Sequence, residues 1–594
     1  MFSSITGPLI ALLAFSQYAA ASCEPPVAFL PPRLDSTSLE SAFTNISSKL
    51  NYFFSTPAFA KSSVSIQISS SDETLWSAYH TAKKNGNGTT KIDGDSVYRN
   101  ASNTKIFTAL AVLKQHAEGR IDLDGPVAQY VPGLNVSGGG NVDWSAISVR
   151  DVMSHVSGLQ DNSGPLAVLG AAGASALGLP PVSEEVVASL PACEFNTLLP
   201  CDAEGLVDQL SAAQPVFPPH TQSSYSNAGY GLLGLAIENV TGMTYEDYIT
   251  SYILEPLKLK STTFTAPSSK TGAILVVENQ WSDNLGVGNP AGGLYTSSND
   301  MITFLRYILT NYNTISPTIN WFQPLTYSTG SHSFLGAPWE IFRTTEILPQ
   351  TNRPVTIITK GGGLDGHYSY SILVLDYNLA VSILLAGELS ALNPLLEYIT
   401  IPLIRGVEDL AQQDLKDRYA GSYAAQNLNS SLVLTQSTTQ SLHVESWISN
   451  GTNVLVPLTE FVAAQAGLGD NIYYQLIPTF EMRQGRRGTG EVWRIINVLD
   501  TDAQSGKDSG IWNDYCISNF DLVSYGGKPL TEVVFWMDRD VVKEVELSAF
   551  GVVMGREWGW SNLGGVAIHG CLAEVFDLDL SFINLLHVDM VIKE

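Results

Sequence analysis

The chain has 594 residues, too many for one hydrophobic core, and two domains are expected. Apolar residues make up 44% and the mean hydropathy is close to zero, which excludes a disordered chain and describes a soluble globular one. The formal charge of −26, from 57 acidic against 31 basic residues, repels phosphate backbones and anionic lipid heads, so nucleic acid is not expected as a partner.

Leu9 to Phe15 is a short apolar run followed by the small residues Ala19-Ala20-Ala21. It is too short to span a bilayer and reads, over residues 1–21, as a signal peptide, although no Lys or Arg precedes it. No later stretch is long and apolar enough for a membrane span. Seven N-x-S/T sequons follow, at Asn45, Asn87, Asn100, Asn135, Asn239, Asn429 and Asn450, and this number behind a leader suggests a secreted glycoprotein. Asn100 is expected to stay bare, because its sequon ends in the serine singled out below. In an oxidising compartment Cys193 and Cys201 could close a short loop and Cys516 and Cys571 could pair, leaving Cys23 odd; spacing alone does not fix the pairing. None of these spacings is a metal site, and no cofactor is called for.

In chain order, residues 62–70 and 74–81 read as β-segments around the turn Ser71-Asp72-Glu73. From Ser102 to His116, Ile106, Leu110 and Leu113 recur at helical spacing. Residues 163–181 form an apolar loop broken by glycines and closed by Pro180-Pro181, either a lid or a plain insertion. Helices are expected over Tyr230 to Val240 and Ser298 to Leu309. Residues 354–386 alternate strands with a Gly-rich turn from Lys360 to Gly366, and 394–413 reads as a closing helix. From about 416 the texture changes to short β-runs at Leu432, Leu442, Tyr473–Ile477, Val492–Val498 and Val533–Trp536, a separate all-β sandwich or barrel. The expected division is therefore 1–21, 22–413 and 414–594. Trp536, Trp558 and Trp560 read as core residues before they read as a carbohydrate platform.

A serine becomes a nucleophile only if a base takes its proton and donors hold the oxyanion that follows. Ser102-Asn103-Thr104-Lys105 opens the helical run, so the Lys105 amine lies one turn from the Ser102 hydroxyl. It is the only S-x-x-K in the chain. A capping serine followed by a surface lysine is the bland explanation of such a match taken alone. Two further elements follow in order, Tyr225-Ser226-Asn227 and Lys360-Gly361-Gly362. Tyr98-Arg99-Asn100 is a second Y-x-N, but it directly precedes the serine and cannot form another wall of its site. The elbow G-x-S-x-G and the zinc motif H-E-x-x-H are absent.

These three motifs resemble those of the penicillin-recognising serine enzymes, and the chain resembles the class C β-lactamase-like group, which includes D-aminopeptidases, esterases and fungal acyltransferases. The likeness runs over roughly residues 45–410 through Gly119 to Pro126, Ile147 to Leu159, Tyr225 to Leu233 and Pro290 to Tyr295. It implies an α+β fold of the β-lactamase/transpeptidase kind, an antiparallel sheet flanked by helices plus a helical lobe, followed by the all-β domain. Ser102 would be acylated. Lys105 and Tyr225 would share the proton work. Asn227 would bind a substrate amide or orient Lys105, and Lys360 would lend positive charge to Tyr225 or to a substrate carboxylate. Backbone N–H groups of Ser102 and Gly363, beside Gly361 and Gly362, would form the oxyanion hole.

The third motif reads Lys-Gly-Gly where the family has Lys-Thr-Gly, so the hydroxyl that helps bind a β-lactam carboxylate is missing. A secreted serine hydrolase or acyltransferase acting on a small-molecule or peptide ester, amide or thioester is expected; the alternative is a non-catalytic binding protein that kept the fold. His155 reads as a structural histidine, and His367 as a turn histidine or a pocket residue. No feature specifies an oligomeric state.

Overall fold

The computed structural model describes residues 27–557 apart from 84–87, 135–140, 162–176, 181–182, 184, 186–200, 269, 274–279, 316–319, 352, 438, 440, 467–471, 500–519 and 522. The leader, the sequons at Asn87 and Asn135, most of the apolar loop, Trp558, Trp560, Cys23, Cys193, Cys516 and Cys571 lie outside the described residues. Cys201 is disulfide-bonded.

The first sheet has eight antiparallel strands: β1 (Ser63–Ser69), β2 (Thr74–His80), β5 (Thr326–Tyr327), β6 (Ser333–Leu335), β7 (Glu340–Thr344), β8 (Val355–Leu364), β9 (His367–Val374) and β10 (Leu379–Ala386), in the order β2-β1-β10-β9-β8-β7-β6-β5. A two-stranded ribbon, β3 (Val97–Arg99) with β4 (Tyr295–Ser297), stands apart. Tyr98, Arg99 and Asn100 are wholly buried, so this stretch is framework and not a wall of the cleft.

Both faces of the sheet are covered, and the period of two in β1 shows how. Val64, Ile66 and Ile68 point to one side, into a core shared with helices α1 (Glu40–Ser55) and α5 (Leu392–Arg418). Ser65, Gln67 and Ser69 point to the other, where they hydrogen-bond Tyr98, Asn299 and Arg306 of the helical lobe. Buried polar side chains thus key the sheet to the lobe while the apolar ones drive burial on the far face. The lobe has its own core around α2 (Thr104–Ala117), α3 (Asn227–Thr241) and α4 (Ser298–Ile315).

The Gly-rich stretch departs from expectation. Lys360 to Leu364 continues β8 as extended strand, with Gly361 opposite Tyr370 and Gly363 opposite Tyr368, and the chain turns only at Asp365-Gly366. Glycine tolerates a strand when its neighbours leave no room for a side chain, a condition met here. The closing helix α5 is also longer than the periodicity suggests.

Beyond α5, β11 (Gly421–Ala424), β12 (Ser431–Ser437), β13 (Ser441–Ser449), β14 (Thr452–Asn453), β15 (Ile472–Gly485), β16 (Gly488–Leu499), β19 (Glu532–Asp538), β20 (Val541–Leu547) and β21 (Val552–Glu557) form a nine-stranded sheet. β17 (Ser524–Tyr525) and β18 (Lys528–Pro529) make a small ribbon. The added pairing of β12 with β13 closes the large sheet into a barrel, and one helix, α6 (Leu455–Ala466), lies among its strands. Trp536 is buried, with its indole N–H donated to Glu546, as a core residue should be. The barrel core is not sealed off: Leu403, Val407 and Leu415 of α5 belong to one apolar cluster with Leu434, Trp447 and Phe535 of the barrel and Val381 of the first sheet. Hydrogen bonds from the Gln412 amide to Ser441 and from the Gln436 amide to the Gln412 carbonyl oxygen, and a 3.0 Å ion pair from Arg418 to Glu491, tie the helix to the strands. Among the described residues no helix is long and apolar enough to cross a membrane.

Candidate active site

Ser102 sits in a single 3-10 turn, Ala101–Asn103, that feeds α2. Ala101 has φ +47°, a left-handed conformation an alanine adopts only when its surroundings hold it there. They do: the Asn100 N–H donates to Leu294, the Ser369 hydroxyl donates to the Asn100 carbonyl at 2.6 Å, and the Asn103 amide donates to Ser369 at 2.6 Å. The serine is thereby presented, part-exposed, against β9 and β8.

Lys105 is fully buried one turn on. Its Nζ lies 2.6 Å from Asn227 Oδ1, 2.8 Å from the Ala291 carbonyl and 3.2 Å from Ser102 Oγ. The first two partners can only accept. When Lys105 is a neutral amine it therefore spends both protons on them, and its lone pair is left for a hydroxyl, with Ser102 and the Tyr225 phenol both in reach. Burial lowers the Lys105 pKa and Lys360 lowers it further, while Tyr225 and Asp161 oppose them; the net direction is down. Asn227 cannot flip, because its Nδ2 donates to Asp161 at 2.9 Å and Asp161 also caps the start of α3 through its carbonyl. Asn227 Oδ1 thus fixes where the Lys105 amine sits.

Tyr225 precedes the N-cap Ser226 of α3. Two amines flank its ring, Lys105 Nζ 4.9 Å and Lys360 Nζ 5.1 Å from the centroid. Burial raises the phenol, but Lys105 and Lys360 outweigh it and bring the pKa below the ordinary tyrosine value. His155 stacks on that ring, centroids 4.4 Å apart. Its Nδ1 accepts from the Ser226 N–H at 3.1 Å, and burial together with the two lysines pushes its pKa well down, so it stays neutral. It is the structural histidine expected, and it holds Tyr225 in place.

Lys360 is fully buried and paired with a residue that no sequence motif indicates. Its Nζ lies 2.6 Å from Glu340 Oε1, and Glu340 Oε2 accepts the Gly361 N–H at 2.8 Å. β7 begins at Glu340, opposite Thr359, so β8 runs past it and the outer edge from Lys360 to Leu364 is left without a strand partner among the described residues. Gly362 packs tightly on the nucleophile turn: a Cβ there would stand 2.7 Å from the Asn100 carbonyl and 2.9 Å from the Ser102 nitrogen.

The structure therefore brings Ser102, Lys105, Tyr225, Asn227, Lys360 and Gly361 to Gly363 into one cleft. His367 is buried in β9, tilted against Trp281 with ring centroids 5.5 Å apart, and burial lowers its pKa to about 3; it belongs to the framework and not to a turn. Asp161, Glu340 and the Ala291 carbonyl went unread. Ala291 lies in the Pro290–Tyr295 stretch that carries part of the resemblance, but the use of a backbone oxygen leaves no mark in sequence. Asp161 and Glu340 are two acids among many.

The family described as Beta-lactamase matches residues 58–396, and the family described as Beta-lactamase-like-like, C-terminal domain, matches residues 411–557. The chain is 38% identical over 552 residues to a "probable hydrolase" of Phoma sp., covering 90% of this chain and 91% of that one. It is 37% identical over 572 residues to a "probable hydrolase" of Cochliobolus lunatus, covering 90% and 92%. A "beta-lactamase-like protein" of Arthroderma benhamiae is 28% identical over 507 residues, covering 79% and 82%.

Proposed function

The chain belongs to the β-lactamase family of hydrolases, and we propose that it cleaves or transfers an ester, amide or thioester acyl group through an acyl-Ser102 intermediate. The observation that carries this is the Lys105 amine, desolvated and 3.2 Å from the Ser102 hydroxyl, with two further contacts on oxygens that can only accept. In this reading Lys105 takes the hydroxyl proton as Ser102 Oγ bonds to the acyl carbon. The oxyanion is held by the N–H groups of Ser102 and Gly363. The proton passes to the Tyr225 phenolate, and the phenol so formed delivers it to the leaving group as the scissile bond breaks, which restores the phenolate. In the second half the Tyr225 phenolate takes a proton from the incoming water or hydroxyl, which displaces Ser102; the proton returns to Oγ. Lys360 keeps that phenolate accessible.

The test is covalent labelling. A fluorophosphonate probe is expected to add its phosphonyl group to Ser102 alone, read by intact mass and peptide mapping, and to abolish turnover of p-nitrophenyl esters in step with the labelled fraction. Active protein that never takes the label would end the reading.

A second expectation concerns Gly362. A methyl group at this position meets backbone atoms, which cannot swing aside, so β8 must move away from Ser102. Gly362→Ala is expected to lower kcat/KM about 10²-fold through misplaced oxyanion donors while costing about 1–3 kcal/mol of stability. Ester kinetics and a thermal melt check the two effects separately.

We also propose an extracellular setting, with glycans on the sequons other than Asn100. The exposure of Asn45, Asn239, Asn429 and Asn450 and the disulfide-bonded state of Cys201 support it.

A further inference from the structure

We propose that Glu340 is a specificity-determining residue that turns away acyl substrates carrying a carboxylate beside Lys360 and leaves uncharged acyl groups as the substrate class. The proposal rests on the acyl-transfer reading above and deepens it.

The two oxygens of Glu340 are both engaged, one on the Lys360 ammonium at 2.6 Å and one on the Gly361 N–H at 2.8 Å. The carboxylate is thus fixed across the start of the bare edge of β8. Lys360 has little left to offer: it also donates to the Gly361 carbonyl at 2.6 Å and acts on the Tyr225 phenol. Its side chain is 1% exposed and that of Glu340 is 32% exposed. An arriving ligand therefore meets the anion of the pair and not the cation.

Position 361 gives the same answer from the steric side. A Cβ built there would lie 3.3 Å from Glu340 Oε2 and 3.0 Å from the Tyr370 ring. The space beside Gly361 is already occupied, by a carboxylate. A substrate carboxylate directed at Lys360 would have to displace an internal one of the same charge and expose the Gly361 N–H. Building like-charge conflict against the wrong ligand is a recognised route to discrimination. A neutral chain lying along β8 meets no such conflict.

The experiment uses the full-length protein and two esters that release the same phenol, p-nitrophenyl butyrate and mono-p-nitrophenyl succinate. Wild type is expected to favour the butyrate by about tenfold or more in kcat/KM. Glu340→Gln, and Glu340→Ser as a second variant should the first fold poorly, are expected to lower that ratio about tenfold through the KM of the succinate. Binding of benzamide and benzoate, measured by calorimetry, gives a readout without turnover: wild type binds benzamide better, and the variants narrow the gap. If esters are turned over and the ratio stays put in both variants, or if wild type already prefers the anions, the Glu340 proposal is wrong while acyl transfer stands. If neither ester reacts but the benzamide preference narrows as described, Glu340 stands and the acyl-transfer reading is the one that fails.

Discussion

Lys105→Met is expected to cut kcat for ester turnover by about 10³–10⁴-fold with the fold preserved, since it removes the group that receives the serine proton and whose ammonium feeds the phenol. Methionine fills the same buried channel and needs no counter-charge. It leaves the Asn227 amide oxygen and the Ala291 carbonyl without their donor, a cost of about 1–3 kcal/mol for each buried group. The wild-type pH profile locates the same group. Acylation needs the neutral amine, so the rate rises with pH through the pKa of Lys105, and burial with Lys360 nearby places that limb below the ordinary lysine value of 10.5. In the methionine variant the limb set by Lys105 vanishes. The Tyr225 phenol, deprived of one of its two cations, titrates at higher pH than in wild type. Stopped-flow acylation rates against pH check all of this; a variant within about tenfold of wild type would show that another group takes the proton.

Removing the barrel is the second large effect. A chain ended at Arg418 is expected to be insoluble or to bind hydrophobic dyes as a loosened globule, without ester turnover. The reason lies in α5, whose Leu403, Val407 and Leu415 are at most 1% exposed within a cluster that also contains barrel residues. Uncovering three such side chains costs about 1.5–3 kcal/mol each, to which the partners of Arg418 and Gln412 add; typical net stabilities are only about 5–15 kcal/mol. Size-exclusion profiles and near-ultraviolet circular dichroism would report the outcome. A soluble monomer melting within about 5 °C of the full chain would show the two parts to be independent.

How much of this was legible follows from what each element depends on. β1, α3 and the barrel strands were readable because their signal is local: alternation in one case, helical spacing in another, β-branched runs between turns in the third. The serine, the lysine and the tyrosine were readable because their motifs are short and ordered along the chain. The glycine strand was misread as a turn because its extended form is imposed from outside, by Tyr368 and Tyr370 across the ladder and by the crowding at Gly362. Glu340 was invisible for a topological reason. It reaches Lys360 only because β7 and β8 pair with Glu340 opposite Thr359, and nothing in the intervening stretch announces that register. The shared core of α5 and the barrel escaped for the same reason, since a run of leucines does not say which neighbour will cover it.

The tight seating of Asn100 has a practical consequence for anyone producing this protein. Its side chain is wholly enclosed, yet the tripeptide Asn100-Ala101-Ser102 is a sugar-acceptor signal in any chain entering a eukaryotic secretory route. Oligosaccharide is attached before folding is complete, so each nascent copy either closes the 3-10 turn first or carries a sugar that keeps it from closing. A molecule of the second sort would be dead and would dilute specific activity without altering the sequence. The usual inactive control compounds the difficulty: Ser102→Ala deletes the hydroxyl and the acceptor signal together, whereas Ser102→Thr keeps the signal and a hydroxyl and adds a methyl group beside it.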